Sequence, residues 1–278
     1  MYPPTAAHLK RVATIQADLA DGLRAILTDF GCELRASASP AEVVDAYANY
    51  KFRRIPIGPR RVHWSDTLSE QTNLSSDELA AIKAIEAKAL VGKDLYPHQS
   101  CGVAKPLTPD GLLADWQIQH LHLGLPNGRP ARRAPFVNRS GIVLLARITD
   151  HDAYFIAALP HGGGEEPWWN MDLPETLHRN WPQSIERFKV DGYEPKLTWE
   201  EHRKMRPPKG CSFMTAVTTK DGTSYLLSDI LANGHRMQAG RFADQILTIF
   251  TDLALALRGN KLGVDGAHGG LRFTVQRR

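Results

Sequence analysis

The chain has 278 residues, of which 42% are hydrophobic and 23% charged, and three are cysteines in no Cys-x-x-Cys pair. A chain of this length and composition buries a core unaided, which excludes global disorder, a disulfide scaffold and a cysteine-rich zinc module. The formal charge of +4, set against 34 Lys+Arg and 30 Asp+Glu, is compatible with a polyanionic partner without requiring one.

From Ala6 to Phe30, the positions Val12, Ile15, Leu19, Leu23, Ile26 and Leu27 recur at helical spacing, and Gly31 stands where a helix C-cap belongs. Pro40, after Ser39, opens a second helix carrying Val43, Val44, Tyr47 and Tyr50. The prolines and glycine of Ile55–Pro59 forbid helix there. Ser75-Ser-Asp-Glu78 is a capping box for a third helix that runs through Ile82 and Ile85 to Gly92.

Beyond Tyr96 the period changes. Ile118–Gly124 and Ile142–Ile148 alternate as strands do, Ala153–Leu159 is a short apolar run, and Thr149–Asp152 reads as the turn between the last two. A helix over Leu173–Ile185, broken near Trp181-Pro182, precedes short strands at Arg187–Val190, Phe213–Thr218 and Ser224–Leu227. Met237–Leu257 is the last long helix and Leu271–Val275 a closing strand, with Gly266–Gly270 as a loop. Hairpins outnumber strand–helix–strand units. The expectation is therefore an α+β protein: a helix-rich region over residues 1–95, then a domain over 96–278 with a mostly antiparallel sheet flanked by helices.

The N-terminus lacks the basic start and apolar run of a signal peptide. No segment reaches the ~18 uninterrupted apolar residues of a membrane span. A cytoplasmic protein without a membrane partner is expected.

The chemistry is concentrated in His120-Leu121-His122-Leu123. Residues i and i+2 of a strand share a face, so the imidazoles lie together and the leucines oppose them. With the leucines on the core, the histidines face water or a cleft. There they can act as general acid and base, or as two ligands of one metal. His161 follows the Ala153–Leu159 run and reaches the same cleft if that strand lies beside the histidine strand. Arg147, the charged residue of an apolar strand, is placed to stabilise negative charge. His178 and Asn180 are further polar candidates on the following helix. A polar sheet face and a salt-bridged strand end explain the same residues without any chemistry.

His120-Leu-His-Leu-Gly124, Pro160-His161-Gly162 and His178-Arg-Asn-Trp-Pro182 together resemble little-characterised bacterial proteins of toxin-like or phage-defence-like character. The resemblance covers about residues 115–190 and implies that these segments belong together.

Several familiar sites are absent. Gly162–Gly164 lacks the Lys-Ser/Thr of a P-loop, and there is no His-Glu-x-x-His or Gly-x-Ser-x-Gly. The paired His-x-Ser/Thr of two-histidine phosphodiesterases and a His-Asn-His nuclease context are missing too. Arg53, Arg54 and Trp64, in a basic-aromatic stretch over Tyr47–Trp64, and Arg132 and Arg133 in a second basic group with Arg129 and Arg139, are candidate substrate-binding residues for RNA. A solvated basic face beside core aromatics is the preferred reading of that stretch. Trp168-Trp169 is a core anchor or a stacking platform.

Three functions fit. The first is a metal-independent, toxin-like ribonuclease or phosphodiesterase with catalytic His120, His122, Arg147 and His161 and no cofactor. The second is a metal-dependent hydrolase with a divalent ion on His120, His122 and His161. The third is a non-enzymatic component of a defence or toxin–antitoxin complex that docks a protein partner through the Ala6–Phe30 helix.

Overall fold

The computed structural model describes residues 5–130, 134–161, 172–192, 216–231, 233, 235–256, 261–267 and 270–276. Its helices are α1 (Ala6–Asp29), α2 (Pro40–Arg53), α3 (Asp66–Ser69), α4 (Ser76–Leu90), α5 (Gly111–Trp116), α6 (Asp172–Asn180), α7 (Pro182–Ile185) and α8 (Met237–Ala256). The strands are β1 (Arg61–Trp64), β2 (Ile118–His122), β3 (Ile142–Ile148), β4 (Asp152–Pro160), β5 (Val217–Thr218), β6 (Ser224–Tyr225), β7 (Lys261–Ala267) and β8 (Gly270–Gln276). The fold is α+β. No helix among the described residues is long and apolar enough to cross a membrane.

The chain divides into two compact units, and the division is not at residue 95 as expected. One unit comprises Met1–Arg53, Gly102–Thr108 and Arg236–Arg278; the other comprises Arg54–Cys101 and Pro109–His235. The N-terminal helices thus fold with the C-terminal helix and hairpin, while α4 joins the sheet. Sequence patterns locate elements but not their partners, which lie far along the chain.

In the first unit, Thr5 caps α1 by accepting from the His8 amide at 3.2 Å, and Gly31 ends it at φ +73°. Its buried face of Ile15, Leu19, Leu23 and Leu27 packs against α2, α8 and β7. The apolar stripe read as a docking element is thereby covered within its own unit. Gly22 lets β7 approach closely: a Cβ there would lie 2.5 Å from Cβ of Val264. Strand β7 enters the stretch expected as a loop over Gly266–Gly270 and begins in residues to which the sequence assigns no element. Pairing with β8 along its whole length supplies its hydrogen bonds.

The second unit is built on a four-stranded sheet of order β1-β4-β3-β2, with β1 parallel to β4 and the other pairs antiparallel. Both faces are covered. On one, Ile118, Val143, Leu145 and Ile156 pack with α5, α6 and α7 through Leu112, Trp116, Leu173, Leu177 and Ile185. On the other, Leu121, Leu144, Phe155 and Ala158 pack against Ile82, Ile85 and Ala89 of α4. Ser75 and Glu78 close the expected capping box at the start of α4. A bulge sets Leu145 opposite Ala157 but Ala146 opposite Phe155, so Ile156 is extra on β4.

One local expectation needs correction, and two segments extend the sequence reading. Glu186–Phe188 is a 3-10 turn, and Lys189 makes a single bridge to Tyr225 in place of a strand. The expected strand at Phe213–Thr218 is described only over Val217–Thr218, its start lying outside the described residues. Gly111–Trp116, unassigned from sequence, is a helix whose amide at Leu113 is capped by Asp110.

Candidate functional site

The three histidines converge through strand register. On β2, His120 stands opposite Leu145 and His122 opposite Val143. Directly opposed residues share a face, so both imidazoles lie on the Val143–Leu145 side of the sheet. Across β3, Val143 pairs with Leu159 of β4. His161, two residues beyond Leu159, keeps that face, and its amide donates to the Gly141 carbonyl at 2.8 Å. β3 therefore lies between the two histidine-bearing strands, and the third histidine reaches across it. On β3 and its approach, Val143 stands opposite His122, while Gly141 accepts from the His161 amide.

The ring centroids are 5.8 Å apart for His120 and His122, 5.3 Å for His120 and His161, and 5.5 Å for His122 and His161. One nitrogen from each ring lies within 4.8 Å of the other two. Nitrogens on a tetrahedral ion at about 2.0–2.1 Å are roughly 3.3 Å apart, so a small inward movement of each ring would complete a three-ligand set.

The expectation that His120 and His122 face water or a cleft is overturned: they are 7% and 3% exposed, and the cleft beside them is lined by His161 alone of the three. The second layer of α5, α6 and α7 covers their face, and only His161 of the three is half-buried. Burial has the largest effect on their protonation. His122 is pushed down to about 3 by burial, then by His120, His161, Arg139 and His98. His161 is pushed down to about 4 by burial, His120 and Arg139. His120 is also lowered, chiefly by burial, with Asp110 opposing and Arg139 assisting. All three are neutral at physiological pH, the form that ligates a metal. Nδ1 of His122 is buried with no hydrogen-bond partner among the described residues, a cost an ion would relieve.

Surrounding groups hold β2 in place. Nδ1 of His98 donates to the His122 carbonyl at 2.8 Å, and Lys88 Nζ donates to Nε2 of His98 at 2.7 Å. The Leu123 amide donates to Oγ of Ser140 at 3.2 Å. Sequence reading passed over His98, which lies far along the chain and shares no local pattern with the pair.

A cleft of about 530 Å³ opens beside the histidines, lined by His161, Arg129, Arg139, Ser140, Gly141, Asn127 and neighbours. The arginine adjoining the triad is Arg139, whose Nη2 is 3.4 Å from Nε2 of His161. Arg147 is not in that position. It pairs in register with Ile118, is 3% exposed, and its guanidinium lies 5.8 Å from the Phe188 ring centre. A strand position fixes a face but not what packs on it, and here an aromatic ring does.

The other sequence candidates are occupied within their own units. Arg53 is buried and donates to the carbonyls of Lys105 and Thr108. Arg54 pairs with Asp94 at 2.8 Å and lies 4.8 Å from the Tyr96 ring centre. Trp64 donates from Nε1 to Glu86 at 3.0 Å and packs on the α4-side core. His178 bonds to the Tyr225 hydroxyl at 2.8 Å and Asp221 at 3.0 Å, and Asn180 to Asp66 at 2.8 Å, apart from the triad. Arg132, Arg133, Gly162–Gly164, Trp168 and Trp169 lie outside the described residues.

No protein-family model, curated protein or solved structure matches the chain. The resemblance carried by residues 115–190 therefore stands on the sequence alone.

Proposed function

We propose that the chain is a metal-dependent hydrolase whose divalent ion is held by His120, His122 and His161. The observation that carries this reading is the convergence of three imidazole nitrogens within 4.8 Å on strands of one sheet. Of the three, His161 lines the open cleft, which would give a catalytic ion its access to water and substrate. Three neutral ligands leave the full charge of the ion to act on water and on a substrate oxygen, and imidazole sets of this kind suit zinc or iron.

The metal-free ribonuclease reading is less well supported. A general acid must carry a proton at working pH, and burial pushes His122 down to about 3 and His161 to about 4. The guanidinium it assigned to charge stabilisation belongs to Arg147, which is buried against Phe188.

Elemental analysis after zinc loading and dialysis tests the proposal. About one ion per chain is expected, falling sharply in His122→Ala and in His161→Ala, with circular dichroism confirming that both variants fold. Equal metal content in wild type and a folded His122→Ala/His161→Ala double variant would defeat it.

A further inference from the structure

We infer that the cleft binds the phosphate of a small phosphomonoester, with Arg129 and Arg139 as its anchors. The inference rests on the metal reading above, whose ion it sets beside the anchored phosphorus.

Arg129 and Arg139 form a hydrogen-bonded bridge pair. The Arg129 amide donates to the Arg139 carbonyl at 2.8 Å and the Arg139 amide to the Arg129 carbonyl at 2.7 Å. Opposed residues of such a pair project to one side, and both arginines line the cleft. Like charges placed opposite each other repel, and such a pair is relieved by an anion between them. Among the described residues, neither arginine is in an ion pair with a carboxylate. The acid on the cleft wall is Glu78, and its Oε2 already accepts from the amide and hydroxyl of Ser75 at 2.8 Å each. Arg139 also abuts His161 at 3.4 Å, which brings the arginine pair against the proposed ion.

Charge and shape select the anion. Two guanidiniums and a divalent ion on neutral ligands make a site of high positive charge. A carboxylate has one charge and two oxygens, enough for one guanidinium fork. A phosphodiester also carries one charge and two free oxygens. A phosphomonoester carries nearly two charges and three terminal oxygens: one for each guanidinium and one for the ion. A cleft of about 530 Å³ falls in the range of small-molecule sites.

Hydrolysis there transfers the phosphoryl group to water. A bond forms from the water oxygen to phosphorus, and the bond from phosphorus to the ester oxygen breaks with its electron pair on that oxygen. The proton released by the water ends on the departing alcohol, so the products are the alcohol and inorganic phosphate.

Calorimetric titration of the full chain with inorganic phosphate, beside acetate and dimethyl phosphate, tests the inference on zinc-loaded and chelator-treated protein. Phosphate is expected to bind at least about tenfold more tightly than the other two and to lose at least about tenfold in affinity in Arg139→Ala and in Arg129→Ala. Because both side chains border the open cleft, these variants are expected to fold. Phosphate affinity unchanged in the double alanine variant, or acetate or dimethyl phosphate binding equally well, overturns the inference. Metal measured on the same samples separates the two readings. Full zinc content without phosphate binding defeats the anion site alone. Arginine-dependent phosphate binding in a chain that takes up no zinc supports the anchors and defeats the metal.

Discussion

The Arg139 guanidinium lies 3.4 Å from Nε2 of His161. A guanidinium can only donate, so the ring that receives it is neutral there. The contact joins two features of the site: a buried set of uncharged imidazoles and a cationic cleft. It also contributes, after burial and His120, to the depressed proton affinity of His161.

Stability should fall in mild acid. An unperturbed histidine titrates at 6.5, whereas folded His122 sits at about 3 and His161 at about 4. Above 6.5 the rings are neutral in both states, and their stabilising effect is complete. As pH drops below it, the unfolded chain takes up protons that the folded site refuses, costing up to about 1.4 kcal/mol per ring per pH unit. The loss runs from 6.5 down through the folded values of about 4 and about 3. Thermal unfolding followed from neutral pH to about pH 4.5 checks this, with a smaller slope expected for His161→Gln. An unchanging melting temperature would contradict it.

Gly141→Val should block the site without unfolding the sheet. A Cβ at Gly141 meets nothing within 4 Å, so the backbone tolerates a side chain. That side chain enters the cleft beside His161 and Arg139. A melting temperature within a few degrees of wild type is expected, with phosphate affinity at least about tenfold weaker. Wild-type affinity in the variant would show that the ligand lies elsewhere.

Glu78→Gln should strengthen anion binding. Glutamine serves the capping box as glutamate does, so α4 keeps its start while the cleft wall loses a negative charge. A gain of a few-fold in phosphate affinity is expected at low salt, shrinking as salt is added. Titrations at two ionic strengths measure it, and weaker binding in the variant would refute the charge argument.

Arg54→Ala should cost stability and leave ligand binding alone. Its guanidinium pairs with Asp94 and packs over Tyr96, and its side chain is 13% exposed. Truncation leaves Asp94 without that partner, at a cost of about 1–3 kcal/mol. Denaturant unfolding reads the loss. Unchanged stability with weakened phosphate binding would restore Arg54 to the ligand site.

Much of the local structure is determined by the sequence alone. The caps of α1 and α4 are contacts between residues three apart, and the shared face of His120 and His122 follows from strand periodicity. These patterns need no distant partner, so a few consecutive residues suffice to encode them. Tertiary structure decided the rest. It covered the histidine face with α5, α6 and α7, and set β3 between β2 and β4. It placed Arg139 in the position expected of Arg147, and spent Arg53 and Arg54 on carbonyls and a carboxylate far along the chain. Burial and charge pairing depend on whichever segments fold against a residue. No spacing within the segment records which those are.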